Sequence, residues 1–332
     1  MNDIAITEGP LVSVRNLQVR YAISHAAQDR LPGGRAWLNA VDGVDLDLLP
    51  GETLGLVGES GCGKSTLGRA LLGLRPISRG QVLWQGRDLA TLGGAGLKAL
   101  RRQAQLVFQD PYASLNPRER AGDAVRSGLD IHDIGSRADR ERRVAELFEL
   151  VGLSPDMRQR WPHEFSGGQR QRIVIARALA LQPRLLVCDE PVSALDVSIQ
   201  AQVLNLLRSL QQHMGLTLLF VSHNLGVIDH MSDRIAVMYR GRIVEQADRD
   251  ALLRDPQHPY TRALLAAVPL PDPRRRLSSL PPPASAAPVS QTACPYATRC
   301  EEARAECSMQ APSLRPMAGN ARHQVACWLV AA

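Results

Sequence analysis

The chain has 332 residues, 45% of them apolar, with a net charge of +6 and a sequence pI near 9.3. That length allows one large domain with an appendage, or two domains. No run approaches the roughly 18 to 20 uncharged apolar residues that span a bilayer, and aromatics at 4% leave little for a base-stacking surface.

Met1-Asn2-Asp3-Ile4 has neither a basic patch nor an apolar signal core, so export is not expected. The basic residues are scattered, with only short clusters such as Arg274-Arg275-Arg276, so no nucleic-acid partner is expected.

Residues 11 to 20 alternate apolar and polar types and predict a strand. A polar stretch around Pro32-Gly33-Gly34 follows. Alternation returns from Val41 to Leu49 and turns at Pro50-Gly51. Thr53 to Val57 predicts a short buried strand, and Ser65 to Leu72 a helix stopped near Gly73. Residues 119 to 160 are charged but carry Val144, Leu147, Phe148 and Val151 at helical spacing, which predicts a helical insert. Gly168 to Leu181 predicts a second helix, ended by Pro183. Leu185 to Cys188 and Leu216 to Val221 are apolar runs suited to central parallel strands. Strands alternating with helices argue for an α/β core. Pro269 to Val289 is rich in Pro, Ala, Ser and Arg and reads as an extended linker.

Between the short strand and the first helix, Gly58-Glu59-Ser60-Gly61-Cys62-Gly63-Lys64-Ser65-Thr66 fits the phosphate loop G-x-x-x-x-G-K-[ST]. Its glycines let consecutive backbone N–H groups face one anion, at a helix start with partial positive charge. Lys64 is expected at the β- and γ-phosphates and Ser65 at Mg²⁺. Leu185 to Val187 leads through Cys188 to Asp189-Glu190, two carboxylates at the end of a buried strand. Asp189 is suited to hold Mg²⁺ through water, and Glu190 to polarise the attacking water, a role worth about 10² to 10⁴ in rate. Ser166-Gly167-Gly168-Gln169 opens a helix and forms a second anion site. One nucleotide has no need of two such helix starts in one chain. Two chains arranged head to tail do, each supplying Ser166-Gly167-Gly168-Gln169 to the γ-phosphate held by the other.

These motifs resemble the nucleotide-binding subunit of an ABC transporter, whose signature is LSGGQ; here Phe165 stands for the leucine. The resemblance covers about residues 11 to 255. It implies a P-loop ABC-type α/β domain with a helical subdomain at about 110 to 180. A small cysteine-containing C-terminal extension follows over 256 to 332, with its linker at 269 to 293 and its cysteines at 294 to 327. It further implies that Tyr21 stacks on adenine, that Gln109 senses Mg²⁺ and water near the membrane subunit, and that the loop Ser193-Ala194-Leu195-Asp196 touches the opposing chain. His223, at the end of an apolar strand 33 residues beyond Glu190, is implied to contact the γ-phosphate. The implied cofactors are ATP and Mg²⁺. Cys62 occupies a variable loop position and Cys188 faces the core as a small apolar side chain.

Three further segments resemble the ATPases of oligopeptide and dipeptide importers, a group that also contains nickel importers. They are Asp110-Pro111-Tyr112-Ala113-Ser114-Leu115-Asn116-Pro117-Arg118, His258-Pro259-Tyr260-Thr261-Arg262-Ala263-Leu264-Leu265, and the tail carrying Cys294, Cys300, Cys307 and Cys327. His258-Pro259 by itself reads as a helix start with proline in the first turn. The resemblance implies two membrane permease subunits, a second identical or sister ATPase, and an extracytoplasmic solute-binding protein reached indirectly. It places the chain peripherally on the cytoplasmic face of the inner membrane. A nickel or other small solute, and a non-transport ATPase, stand as alternatives.

A four-cysteine cluster in a chain without a signal peptide favours metal ligation over disulfides. The residues allow structural Zn²⁺ or an iron–sulfur cluster, and some ATPases of this subgroup carry [4Fe–4S] at such cysteines. A metal-free tail of reduced thiols is the third reading. His323 is read as a solvated side chain rather than a replacement ligand.

Overall fold

A computed structural model describes residues 9–22, 37–267 and 292–330. The stretch around Pro32-Gly33-Gly34 and the Pro269 to Val289 linker lie outside those residues. In chain order, β1 (Val12–Ala22), β2 (Trp37–Leu48) and β3 (Thr53–Val57) precede α1 (Lys64–Leu71) and β4 (Arg79–Trp84). Then come β5 (Ala104–Val107), α2 (Pro111–Ser114), α3 (Ala121–Ile131), α4 (Arg137–Leu150) and α5 (Gly167–Leu179). After these follow β6 (Leu185–Asp189), α6 (Val197–Met214), β7 (Thr217–Ser222), β8 (Arg234–Tyr239) and β9 (Arg242–Asp248). The C-terminal part adds α7 (Pro259–Ala266), β10 (Arg315–Met317) and β11 (Asn320–Val325).

The chain divides into two compact units. One comprises the residues up to Leu11, Leu48–Thr53 and Leu89–Val221. Its sheet is parallel, with β6 between β5 and β7, and every residue of β6 and β7 is buried. Fully buried runs of Leu and Val are what a central parallel strand requires, each side chain contributing about 1.5 to 3 kcal/mol. The helical insert is α3 and α4. Val144, Leu147, Phe148 and Val151 are buried, as their spacing predicted. A reciprocal cap between Ser136 and Asp139 starts α4. Arg126 and Arg140 link Asp123, Asp130, Asp133 and Glu141 over its surface.

The other unit comprises Val12–Asp47, Leu54–Asp88 and Ser222–Ala332. Here β1 pairs antiparallel with β4, while β3 pairs parallel with β8. β9 joins β8 antiparallel, and β11 adds to β9 through Glu245↔Val325 and Gln246↔Gln324. The cysteine-bearing tail is therefore built into this sheet. β10 completes a hairpin with β11, turning at Gly319, whose φ is +79°.

Candidate nucleotide site

In the second unit β3, with all five residues buried, delivers the chain to the glycine loop. Gly63 is the cap residue of α1, with φ +111° and no side-chain cap. A Cβ there would lie 2.0 Å from the Ala40 carbonyl, so glycine is required twice over. The helix starts at Lys64, one residue earlier than predicted. Lys64 is 4% exposed and folds back on its own loop. Its Nζ donates to the carbonyls of Gly58 (2.7 Å) and Glu59 (2.9 Å), with Cys62 Sγ at 3.9 Å. A phosphate oxygen is a much better acceptor than that sulfur. Burial pushes the Cys62 thiol up, and the Lys64 charge offsets part of this. Ser60 and Gly61 form the exposed crest, and Ser65 and Thr66 occupy the first turn. The Tyr21 hydroxyl lies 3.3 Å from Thr66 Oγ1, and Arg75 sits 5.4 Å from the Tyr21 ring centre. His223 lies just past β7, exposed at the surface of this unit.

In the first unit Asp189, 2% exposed, ends β6. Glu190 follows with φ +48°, a left-handed conformation that is rare for glutamate and costs of order 1 to 3 kcal/mol. Its N–H donates to the Val221 carbonyl at 3.0 Å, and Ser193 Oγ donates to its carbonyl at 3.1 Å. Gln109 Nε2 donates to Glu190 Oε2 at 3.1 Å, so two predicted site residues meet directly. Asp110 caps α2 by accepting from the Tyr112 N–H at 2.7 Å. Tyr112 in turn lies under Arg170, 4.1 Å from its ring centre.

Ser166 caps α5 in a reciprocal box. Its Oγ accepts from the Gln169 N–H (3.3 Å), and Gln169 Oε1 accepts from the Ser166 N–H (3.0 Å). A Cβ on Gly168 would fall 2.4 Å from Ile199, so the second signature glycine lets α5 pack on α6. Gly167 lies beside Leu195 and Tyr112. Asp196 is the exposed cap residue of α6 and makes no side-chain cap bond.

Cys188 is fully buried and its thiol is pushed far up by burial. None of the six cysteines is in a disulfide. Cys294, Cys300, Cys307 and Cys327 line one small cavity with His258, Tyr296 and Trp328. Burial pushes the thiols of Cys294, Cys300 and Cys327 up. As placed, no three or more His, Cys, Asp or Glu groups among the described residues have metal-holding geometry.

His323 is not solvated, contrary to expectation. It is 4% exposed, with Nε2 2.7 Å from the buried Glu245 carboxylate. Glu245 also accepts from the backbone N–H groups of Gln257 (2.8 Å) and His258 (2.9 Å). These bonds hold its carboxyl below the usual range against the opposing effect of burial. His258 caps α7, its Nδ1 accepting from the Tyr260 N–H at 3.0 Å, with Pro259 in the first turn, as the residues alone predicted. Sequence reasoning missed Glu245, whose side-chain partner His323 lies 78 positions away.

The family profile described as ABC transporter matches residues 41–193. The oligopeptide transport ATP-binding protein OppF of Escherichia coli is 46% identical over 337 aligned residues, covering 97% of this chain and 98% of that protein. This chain belongs to the ABC transporter ATP-binding subunits. A second profile, for the oligopeptide/dipeptide transporter C-terminal region, matches residues 244–307. A putative peptide import ATP-binding protein of Brucella ovis is 48% identical, covering 93% of this chain and 95% of that protein. A solved dimeric ATP-binding cassette in a post-hydrolysis state, bound to ADP and Pi, superposes with a TM-score of 0.63. It is 27% identical and covers 72% of this chain and 98% of its own. Membership makes the chain an ATPase that uses ATP and Mg²⁺. No helix among the described residues is long and apolar enough to cross a membrane.

Proposed function

We propose that this chain powers the import of di- and oligopeptides through a membrane ABC transporter, working peripherally on the cytoplasmic face of the inner membrane. The observation that carries this is the peptide-transporter C-terminal match, joined to a chain that retains Lys64, Asp189 and Glu190. Its partners are two permease subunits, a second identical or sister ATPase and, indirectly, an extracytoplasmic solute-binding protein. Residues 11–255 form the ATPase domain, with the helical subdomain at about 110–180, and 256–332 form the extension.

Gly58, Ser60, Gly61, Gly63, Lys64 and Thr66 cradle the phosphates, and Tyr21 stacks on adenine. Ser65, Gln109 and Asp189 attend Mg²⁺. Ser166, Gly167, Gly168 and Gln169, with Asp196, meet the nucleotide held by the opposing subunit. A water oxygen forms a bond to the γ-phosphorus while the bond to the β–γ bridging oxygen breaks. Glu190 takes the water proton, and His223 contacts the γ-phosphate. The Gln109–Glu190 hydrogen bond supports a role for Gln109 in aligning that carboxylate. ATP-driven closure and hydrolytic reopening then bias the two access states of the pore.

Cys294, Cys300, Cys307 and Cys327 would hold a [4Fe–4S] cluster. Four thiols outside any disulfide line one largely apolar cavity and have the donor chemistry such a cluster takes, although among the described residues they are not gathered in metal-holding geometry. Such a cluster supplies one-electron chemistry. Iron and sulfide analysis of anaerobically purified protein decides, and a colourless, iron-free protein overturns this part.

Uptake in cells lacking the gene tests the whole reading, with labelled dipeptides, longer peptides and nickel compared after restoring wild type or Glu190→Gln. Peptide uptake restored by wild type alone is expected. Nickel uptake alone would replace the solute, and no change in any solute would remove the transport reading.

A further inference from the structure

The phosphate loop is gripped by residues more than 170 positions further along the chain, all within its own unit. Glu59, the second residue of the loop, has a one-third exposed carboxylate. Arg299 Nη1 lies 2.9 Å and 3.1 Å from its two oxygens. The Arg299 side chain is only 4% exposed. The same nitrogen donates to the Tyr239 hydroxyl at 3.3 Å, and the guanidinium carbon lies 5.8 Å from the ring centres of both Tyr239 and Tyr296. The Glu59 N–H donates to the Tyr260 hydroxyl at 3.0 Å. Its carbonyl accepts from Lys64.

A carboxylate inside a phosphate cradle opposes the ligand, because like charges at short range repel. Arg299 supplies the opposite charge from outside the cradle, where it can neutralise Glu59 without competing for a phosphate oxygen. Tyr260 fixes the Glu59 backbone, and that backbone orients Lys64. Arg299 is the residue before Cys300, in the segment that also carries Cys294.

We infer that Arg299 is a positioning residue for ATP, so that nucleotide affinity depends on docking of the cysteine-bearing segment beside the loop. This rests on residues 58–66 being the phosphate cradle. The guanidinium touches no reacting atom and acts through Glu59.

Titration of the full-length chain with mant-ATP and Mg²⁺, alongside kcat and KM in the assembled transporter, tests it. Arg299→Met is expected to weaken mant-ATP binding and raise KM about tenfold, with kcat within about twofold of wild type. The double variant Arg299→Met/Glu59→Gln, which also removes the opposing charge, is expected to recover binding to within about threefold. A purely structural role would lower the melting temperature without this recovery. Arg299→Lys keeps the charge and the fold, and is expected to weaken binding about threefold. Unchanged binding by folded Arg299→Met, or by folded Arg299→Gln if the methionine variant does not fold, overturns the inference. Failure of the double variant to recover overturns it also. A wild type that binds no mant-ATP removes the cradle assignment itself.

Discussion

Two helix starts in this chain are proposed to face phosphate, and they are built differently. At α1 the cap residue is Gly63, with no side-chain acceptor for the first amides. At α5 the Ser166–Gln169 box occupies part of the helix start with its own side chains. The first start has no side-chain cap, and its loop is braced at Glu59 by Tyr260 and Arg299. The second holds itself together. A loop that binds nucleotide within one chain gains from being preorganised before the ligand arrives. A loop that completes a site only when two subunits meet must keep its shape while exposed to water, and a capping box provides that.

Lys64→Ala separates the two most sharply. It is expected to abolish mant-ATP binding by the single chain, weakening it at least about 100-fold, because a buried cation at the phosphates is lost. Equal binding by that variant would break the distinction. Gly168→Ala is next. Single-chain binding should be unchanged, while turnover in the assembled transporter falls about tenfold or more as α5 is pushed off Ile199. Adding Ile199→Ala should restore part of that turnover; no recovery would place the defect elsewhere. Ser166→Ala should cost about 1 kcal/mol in a thermal or denaturant melt, the usual worth of such a cap, and should leave single-chain ATP affinity alone.

A further effect concerns pH, and it falls on α7, the helix that carries the Tyr260 brace. Burial pushes His258 down to about 4, and the neutral ring caps α7. Because the folded value lies below the ordinary 6.5, the unfolded chain binds the extra proton between those limits. Stability from this site is complete above about pH 6.5 and declines as pH falls towards 4. Glu245, also depressed, adds a loss below its ordinary value of 4.5. His258→Asn should flatten the upper part of a melting-temperature profile; an unchanged slope between pH 6.5 and 5 would remove His258 as its cause.

Much of the framework around the candidate nucleotide site was legible because it is local. β3 has the predicted bounds, and α1, α5, β6 and β7 differ by a residue or two. Buried apolar runs punctuated by glycine and proline leave few alternatives. β2 begins at Trp37 rather than Val41, since Trp37 and Leu38 are exposed and break the alternation. β10 and β11 were invisible. Arg315-Pro316-Met317 is too short to show a period and Asn320 to Val325 is mostly polar; the extended form of β11 comes from pairing along β9, and that of β10 from pairing along β11. The left-handed backbone of Glu190 and the Arg299–Glu59 pair were equally hidden. The first has no sequence signature, and the second joins positions 240 residues apart.

The pairing of β11 with β9 also bears on how the chain can be shortened. A fragment ending near residue 255, where the ATPase motifs end, would strip β9 of its partner at Glu245 and Gln246. It would expose the flank of a strand whose interior residues are all buried. Bare strand flanks recruit other chains, so such a fragment is expected to aggregate more readily than the full chain.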